Sequence, residues 1–192
     1  TVYAADADGV TSSADGTVDV RGFALSLPDT TVRQGATFEI PVWATSLAGL
    51  NVTSGSFEIA YNGRTVAVEA LVTQGTLLDG TSPQLSASPP DQVGGRARVA
   101  FAASSPLSGD VSVPLVRVRV RAADAVTSTA LTLGDVLFNQ ALRGIGRTGG
   151  RVRVVALPTL NLSPASVQVL AGETVALSAP TAVGSVTWTA AD

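Results

Sequence analysis

The chain has no cysteine, no histidine, no methionine and no lysine among its 192 residues. Without Cys there is no disulfide framework and no thiol nucleophile. Without His and Lys, the Ser-His-Asp, Cys-His and Ser-Lys arrangements cannot be assembled, and a Schiff base is impossible. Zinc, copper and haem sites lose their usual ligands. Carboxylates, hydroxyls, arginine and backbone remain, which leaves open an oxygen-ligand calcium site or a paired-carboxylate glycosidase. Aromatic residues make up only 5% of the chain, against 45% hydrophobic residues, so a core must be built mainly from Val, Leu, Ile and Ala. The net charge of −3 argues against a general binder of polyanions, nucleic acid included. No apolar run approaches the roughly 20 residues needed to span a bilayer as a helix. Neither an initiator Met nor a signal peptide opens the chain, which reads as a mature or excised piece of something longer.

What is present is a period of two. In the stretch 35–70, Phe38, Ile40 and Val42 alternate with Thr37, Glu39 and Pro41. Phe57, Ile59 and Tyr61 alternate with Ser56, Glu58 and Ala60, and Val66 and Val68 with Ala67 and Glu69. Such alternation gives each strand one buried and one wet side. Asn62-Gly63 is a tight-turn signal between two of these strands. Later strands run over 24–27, 96–102, 116–121 and 151–155, with short ones around Leu131–Leu133 and Val136–Phe138. Residues 82–95 and 144–150 read as loops rich in Pro, Ser and Gly. No convincing helix is found, and repeated short strands predict an all-β sandwich. At Pro158 the pattern resets, and about three more strands follow, too few for a complete sandwich. Residues 1–20 read as two short strands that cannot bury a core alone.

The segments LSLPDTTVRQGATFEIPV, SGSFEIAYNGRTVAVEAL, GRARVAFAASSPLSGD, VPLVRVRVRA, LTLGDVLFNQ and GGRVRVV follow one another in an order that resembles a cohesin-type domain. Tyr61 is followed by Asn62-Gly63 where that family usually has Asp-Pro. The resemblance implies a jelly-roll-like β-sandwich of about nine strands over 21–156. It also implies binding to a dockerin, or adhesive work at a cell surface. LSPASVQVLAGETVALSA and VTWTAAD, within 157–192, resemble the first half of a bacterial immunoglobulin-like domain. Residues 1–20 resemble the last strands of the same domain type. The expectation is a cohesin-type sandwich with incomplete Ig-like segments at both ends.

The leading functional expectation is a non-enzymatic, extracellular or cell-surface repeat unit or filament subunit. Copies would join head to tail, the strands of one completing the fold of the next. The alternatives are a scaffold cohesin that binds a dockerin, and a carbohydrate-binding module. Membrane insertion is not expected. Under the resemblance, the partner-binding face holds Ser54, Ser56, Glu58, Ala60, Arg96, Arg98, Ala100 and Ala102. Arg117, Arg119 and Arg121 form a second candidate, either a basic stripe that grips carboxylates or a solvated strand face guarded by charge. Asp6, Asp8 and Asp15 are either turn residues or an interdomain calcium site; an EF-hand is excluded, because Val10, Thr11 and Thr17 fill its fifth, sixth and twelfth positions. Apart from that calcium ion no cofactor is expected. Glu39, Glu58 and Glu69 lack sugar-stacking aromatics nearby, which disfavours a glycosidase. Trp43 and Trp188 are expected in the core. Asn51-Val52-Thr53 and Asn161-Leu162-Ser163 match the glycosylation sequon.

Overall fold

The computed structural model describes residues 2–5, 11–14, 22–107, 111–140, 142–144 and 146–157, with the single positions 168, 174 and 176. Among the described residues there is no helix. The N-terminal pair β1 (Val2–Ala5) and β2 (Thr11–Ala14) runs antiparallel and forms a sheet of its own.

Twelve further strands build the sandwich. They are β3 (Ala24–Ser26), β4 (Thr30–Arg33), β5 (Thr37–Ala44), β6 (Ser54–Tyr61), β7 (Val66–Val72) and β8 (Gln84–Ala87). They continue with β9 (Gly95–Ala102), β10 (Val116–Ala122), β11 (Thr127–Phe138), β12 (Leu142–Arg143), β13 (Gly146–Thr148) and β14 (Gly150–Val155). One sheet has the order β13-β3-β5-β10-β7. The other runs β4-β14-β11-β6-β9-β8, with β12 beside β11. Most neighbours are antiparallel, but β13–β3 and β14–β4 pair in parallel. This two-sheet, jelly-roll arrangement is the all-β sandwich that the alternation predicts.

The core lies between the sheets and takes the inward half of each strand. Ile40 and Val42 of β5 and Val118 and Val120 of β10 close it from one side. Phe57 and Ile59 of β6, Val99 and Phe101 of β9, and Val152 and Val154 of β14 close it from the other. All ten are at most 5% exposed, as the period-two reading of these strands expects, while Phe38 at the start of β5 is only partly buried. The few aromatics are concentrated: Phe138 stacks on Phe23 at 4.1 Å and meets Phe101 edge-on at 5.3 Å. Gly55 makes room for this cluster. A Cβ there would collide with the Phe138 ring and come within 2.7 Å of Phe101 Cζ.

Asn62-Gly63 makes the tight turn expected of it, but the turn joins two layers instead of closing a hairpin, because β6 and β7 belong to different sheets. Tyr61 and Val66 face one core from opposite layers, so the link is a crossover. Asn62 shapes it by accepting the Arg64 amide on Oδ1 at 3.0 Å and the Thr65 amide on its carbonyl at 2.9 Å. Leu131–Leu133 and Val136–Phe138 are one strand, not two. A bulge between Gly134 and Leu137 inserts the extra residue that shifts the alternation, with Asp135 in the left-handed region at φ 46°. Trp43 is only half-buried, since Ile40, Val42 and Ala44 hold the inward positions of β5 and leave Trp43 on the outer face. Both loops read from composition also carry a strand: β8 lies in the first and β13 in the second. Trp188, the Asn161 sequon and most of the Ig-like segment at 157–192 lie outside the described residues.

Phe138→Ala is expected to cost about 3–5 kcal/mol by urea denaturation, since it empties the centre of the aromatic cluster. Gly55→Ala should cost about 1–3 kcal/mol by overpacking the same point.

Tyr61 gives a second test. Its ring covers Gly95, and among the described residues its buried hydroxyl has no hydrogen-bond partner. Burial raises its pKa above the ordinary 10.0. A raised phenol keeps its full contribution below pH 10.0 and loses stability as pH climbs towards the folded-state value. Tyr61→Phe should flatten that alkaline loss in pH-dependent melts. It should also leave neutral-pH stability unchanged or raise it by about 1 kcal/mol, because a buried hydroxyl without a partner is a net cost. A Tyr61→Phe protein destabilised at neutral pH would contradict the second expectation, and an alkaline loss as steep as in the parent would contradict the first.

Candidate functional site

The sandwich has two outer faces, and they divide the sequence-predicted residues between them. Ser54, Ser56, Glu58 and Ala60 project outward from β6, and Arg96, Arg98, Ala100 and Ala102 from β9. The register sets them in cross-strand pairs: Ser54 with Ala102, Ser56 with Ala100, Glu58 with Arg98 and Ala60 with Arg96. These eight residues form one surface. Beside them β8 adds Gln84 and Ser86, opposite Ala100 and Arg98. On the other flank β11 adds Thr132, opposite Ala60. Seven of these eleven side chains are Ala, Ser or Thr, so the β8-β9-β6-β11 face is flat between Glu58, Gln84, Arg96 and Arg98. Its ion pair joins Glu58 Oε1 to Arg96 Nη1 at 2.7 Å, a diagonal contact rather than the directly opposite one. Arg98 has no ion pair among the described residues.

A hollow of about 270 Å³ interrupts this face, lined by Ser56, Arg98, Asp135, Val136, Leu137 and Arg147. Sequence reasoning found the first two residues only. Asp135 and Leu137 were missed because the bulge resets the alternation there, turning Leu137 outward. The signal was available as two apolar alternations of opposite phase joined at Gly134-Asp135. Arg147 was missed because 144–150 reads as a loop, and nothing local announces that β13 lies parallel to β3.

Arg117, Arg119 and Arg121 sit on the opposite outer face, that of the five-stranded sheet. They therefore do not share a surface with Ser54–Ala60 or Arg96–Ala102. Arg119 Nη2 meets Glu39 Oε1 at 3.1 Å, and the two are cross-strand partners. Arg117 donates from Nη1 to the Gln74 carbonyl at 2.9 Å and from Nη2 to the Gly75 carbonyl at 3.4 Å, tying the loop after β7 to the sheet. Arg121 is exposed at the rim of a hollow of about 250 Å³ that also touches Arg64, Asp91 and Asp124. Two of the three arginines of this stripe are thus engaged within the chain. Asp6, Asp8 and Asp15 lie outside the described residues. No helix is long and apolar enough to cross a membrane among the described residues.

No family model matches the sequence, and no curated protein does. Solved structures do match. A non-cellulosomal cohesin from the archaeon Archaeoglobus fulgidus shares 22% identity at a TM-score of 0.55, over 70% of this chain and 92% of its own. CaCohA2 from Clostridium acetobutylicum shares 18% at a TM-score of 0.58, over 69% and 90%. A type I cohesin–dockerin complex from Clostridium thermocellum aligns at 14% identity and a TM-score of 0.57, over 70% and 100%.

The loop contact of Arg117 is testable. Arg117→Ala should speed amide exchange of residues 74–81 while changing global stability by less than about 1 kcal/mol, because the contact is exposed and local. A large global loss would contradict that assignment.

Twelve strands in two sheets around one hydrophobic core, with this match to several cohesins, make the sandwich a cohesin-like domain by fold.

Proposed function

We propose that this chain is a non-enzymatic protein-docking module that works outside the cell and takes a helical, dockerin-like partner on the β8-β9-β6-β11 face. The observation that carries the reading is the face itself. Ser54, Ser56, Ala60, Ala100, Ala102 and Thr132 leave a flat surface of small side chains, from which Glu58, Arg96 and Arg98 rise. A helix laid on such a surface can approach the sheet closely, and the arginines supply directional contacts at its rim. The fold is that of cohesins solved in complex with dockerins, which supports the same choice of partner.

A second reading rests on the β1–β2 hairpin. It forms a sheet apart from the sandwich, and an isolated two-stranded hairpin is marginal in water. It would gain most by completing another copy, so that chains join head to tail as a filament or surface array.

The test is capture on the immobilised full chain, in the presence of calcium, from the secreted fraction of the producing organism. The first reading expects a one-to-one complex with a protein bearing a calcium-loop helical module. Ala100→Trp, which plants a bulky ring in the flat face, should abolish the complex, and Arg119→Glu on the opposite face should leave it intact. A complex indifferent to Ala100→Trp would overturn the reading. Recovery of the chain itself as sole partner would favour the second.

A further inference from the structure

Arg98 stands on β9 directly across from Glu58 of β6, which would be its natural counter-ion. Glu58 is engaged elsewhere, since its Oε1 accepts from Arg96 Nη1 at 2.7 Å. Arg98 is left exposed, and it lines the hollow of about 270 Å³ at the β11 bulge. The bulge shapes that hollow. An extra residue between Gly134 and Leu137 interrupts the pairing of β11 with β6, and Asp135 leaves the ladder at φ 46°. Arg147 enters the lining from β13, a strand of the other sheet. Ser56 and the half-buried Leu137 are cross-strand partners and line it too. Among the described residues, Ser56, Arg98, Asp135 and Arg147 make no side-chain hydrogen bond or ion pair. A few unpartnered polar groups converging on one hollow beside an apolar wall is the pattern of a binding site.

The charges select the ligand. Two guanidiniums and one carboxylate give the hollow a net charge of 2 − 1 = +1. A neutral ligand leaves that charge unmatched. A phosphate dianion overshoots it and meets Asp135. A single carboxylate balances it, and arginine holds carboxylates through paired N–H donors.

We propose that the hollow is a carboxylate-binding subsite: an acidic side chain of the docked protein enters it, pairs with Arg98 and Arg147, and lays its methylenes on Leu137. The proposal rests on the docking reading of the β8-β9-β6-β11 face and adds the chemistry that the partner must carry. Asp135 sets the selectivity, since its charge repels any group more negative than one carboxylate.

The experiment follows the arginine Nε–Hε signals of the full chain by NMR as capped glutamate (N-acetyl-glutamate N-methylamide) is added. Capped glutamine and inorganic phosphate are the controls. The Arg98 and Arg147 signals should move together and saturate with capped glutamate alone. Those of Arg121 and Arg153, exposed arginines outside this hollow, should not saturate. Arg147→Gln should weaken the Arg98 response roughly fivefold, and Asp135→Asn should tighten it about threefold, the scale of exposed charge pairs. Unchanged amide spectra away from the hollow show that each variant is folded. Silence of both signals at about 100 mM ligand, a hundred times a millimolar dissociation constant, overturns the subsite. So does an equal drift of all exposed arginines, or an equal response to capped glutamine. Tighter binding of phosphate overturns the ligand class.

The captured complex supplies the second arm. Arg98→Glu with Arg147→Glu should weaken it by roughly tenfold or more. A complex that Ala100→Trp abolishes and this pair leaves intact overturns the subsite and keeps the docking face. A complex indifferent to Ala100→Trp overturns the docking reading and with it the protein source of the carboxylate, while the titration still decides whether the hollow binds one.

Discussion

One constraint governs this protein: two sheets must close over a single core that is mainly aliphatic, with Phe23, Phe57, Phe101, Phe138 and Tyr61 as its buried aromatics. With so few aromatic residues, coverage comes from many small contacts rather than a few large ones. That demands strict alternation on long strands, because one slip would turn a whole apolar row to water. β5, β6, β9, β10 and β14 all obey it. Where the chain cannot, the exception is built in, as with the bulge that lets β11 keep burying Leu133, Val136 and Phe138 across an inserted residue.

The same constraint distributes charge. If inward positions are apolar, every arginine on these strands must stand on an outer face, in rows two residues apart. The two faces handle their rows differently. The five-stranded sheet engages Arg117 and Arg119 within the chain and leaves Arg121 exposed. The seven-stranded sheet pairs Arg96 with Glu58 and leaves Arg98, Arg151 and Arg153 without an ion pair among the described residues, Arg151 and Arg153 facing alanine and serine on β11. Exposed arginines on a flat field of small side chains are poor stabilisers and good contact points. That contrast, rather than the number of arginines, supports the face chosen in the proposed function.

Much of this was legible in the sequence, for a physical reason. Side-chain alternation is local, so the buried rows of β5, β6, β9 and β10 could be read directly, and with them the outward Ser54, Ser56, Glu58, Arg96 and Arg98. Partner strands are not local. The sequence alone could not say that Arg117–Arg121 would face away from Arg96 and Arg98, because sheet membership depends on crossovers such as the one at Asn62. Asn62-Gly63 has the chemistry of a tight turn, and the turn forms, but it joins two layers. Trp43 misled. Its size suggests burial, yet its parity on β5 matches Glu39 and Pro41, and parity won. Asp135, Leu137 and Arg147 were hidden by a bulge and by a parallel pairing, neither of which has a simple period.

The central claim is that the outer surface of β8-β9-β6-β11 is where a protein partner sits. Amide chemical-shift mapping of the full chain, titrated with the partner recovered by calcium-dependent capture, tests it most directly. The account predicts shifts concentrated in residues 54–60, 84–87 and 96–102, with little change along 117–121. Shifts centred on 37–43 and 117–121 would place the partner on the five-stranded sheet and contradict the account.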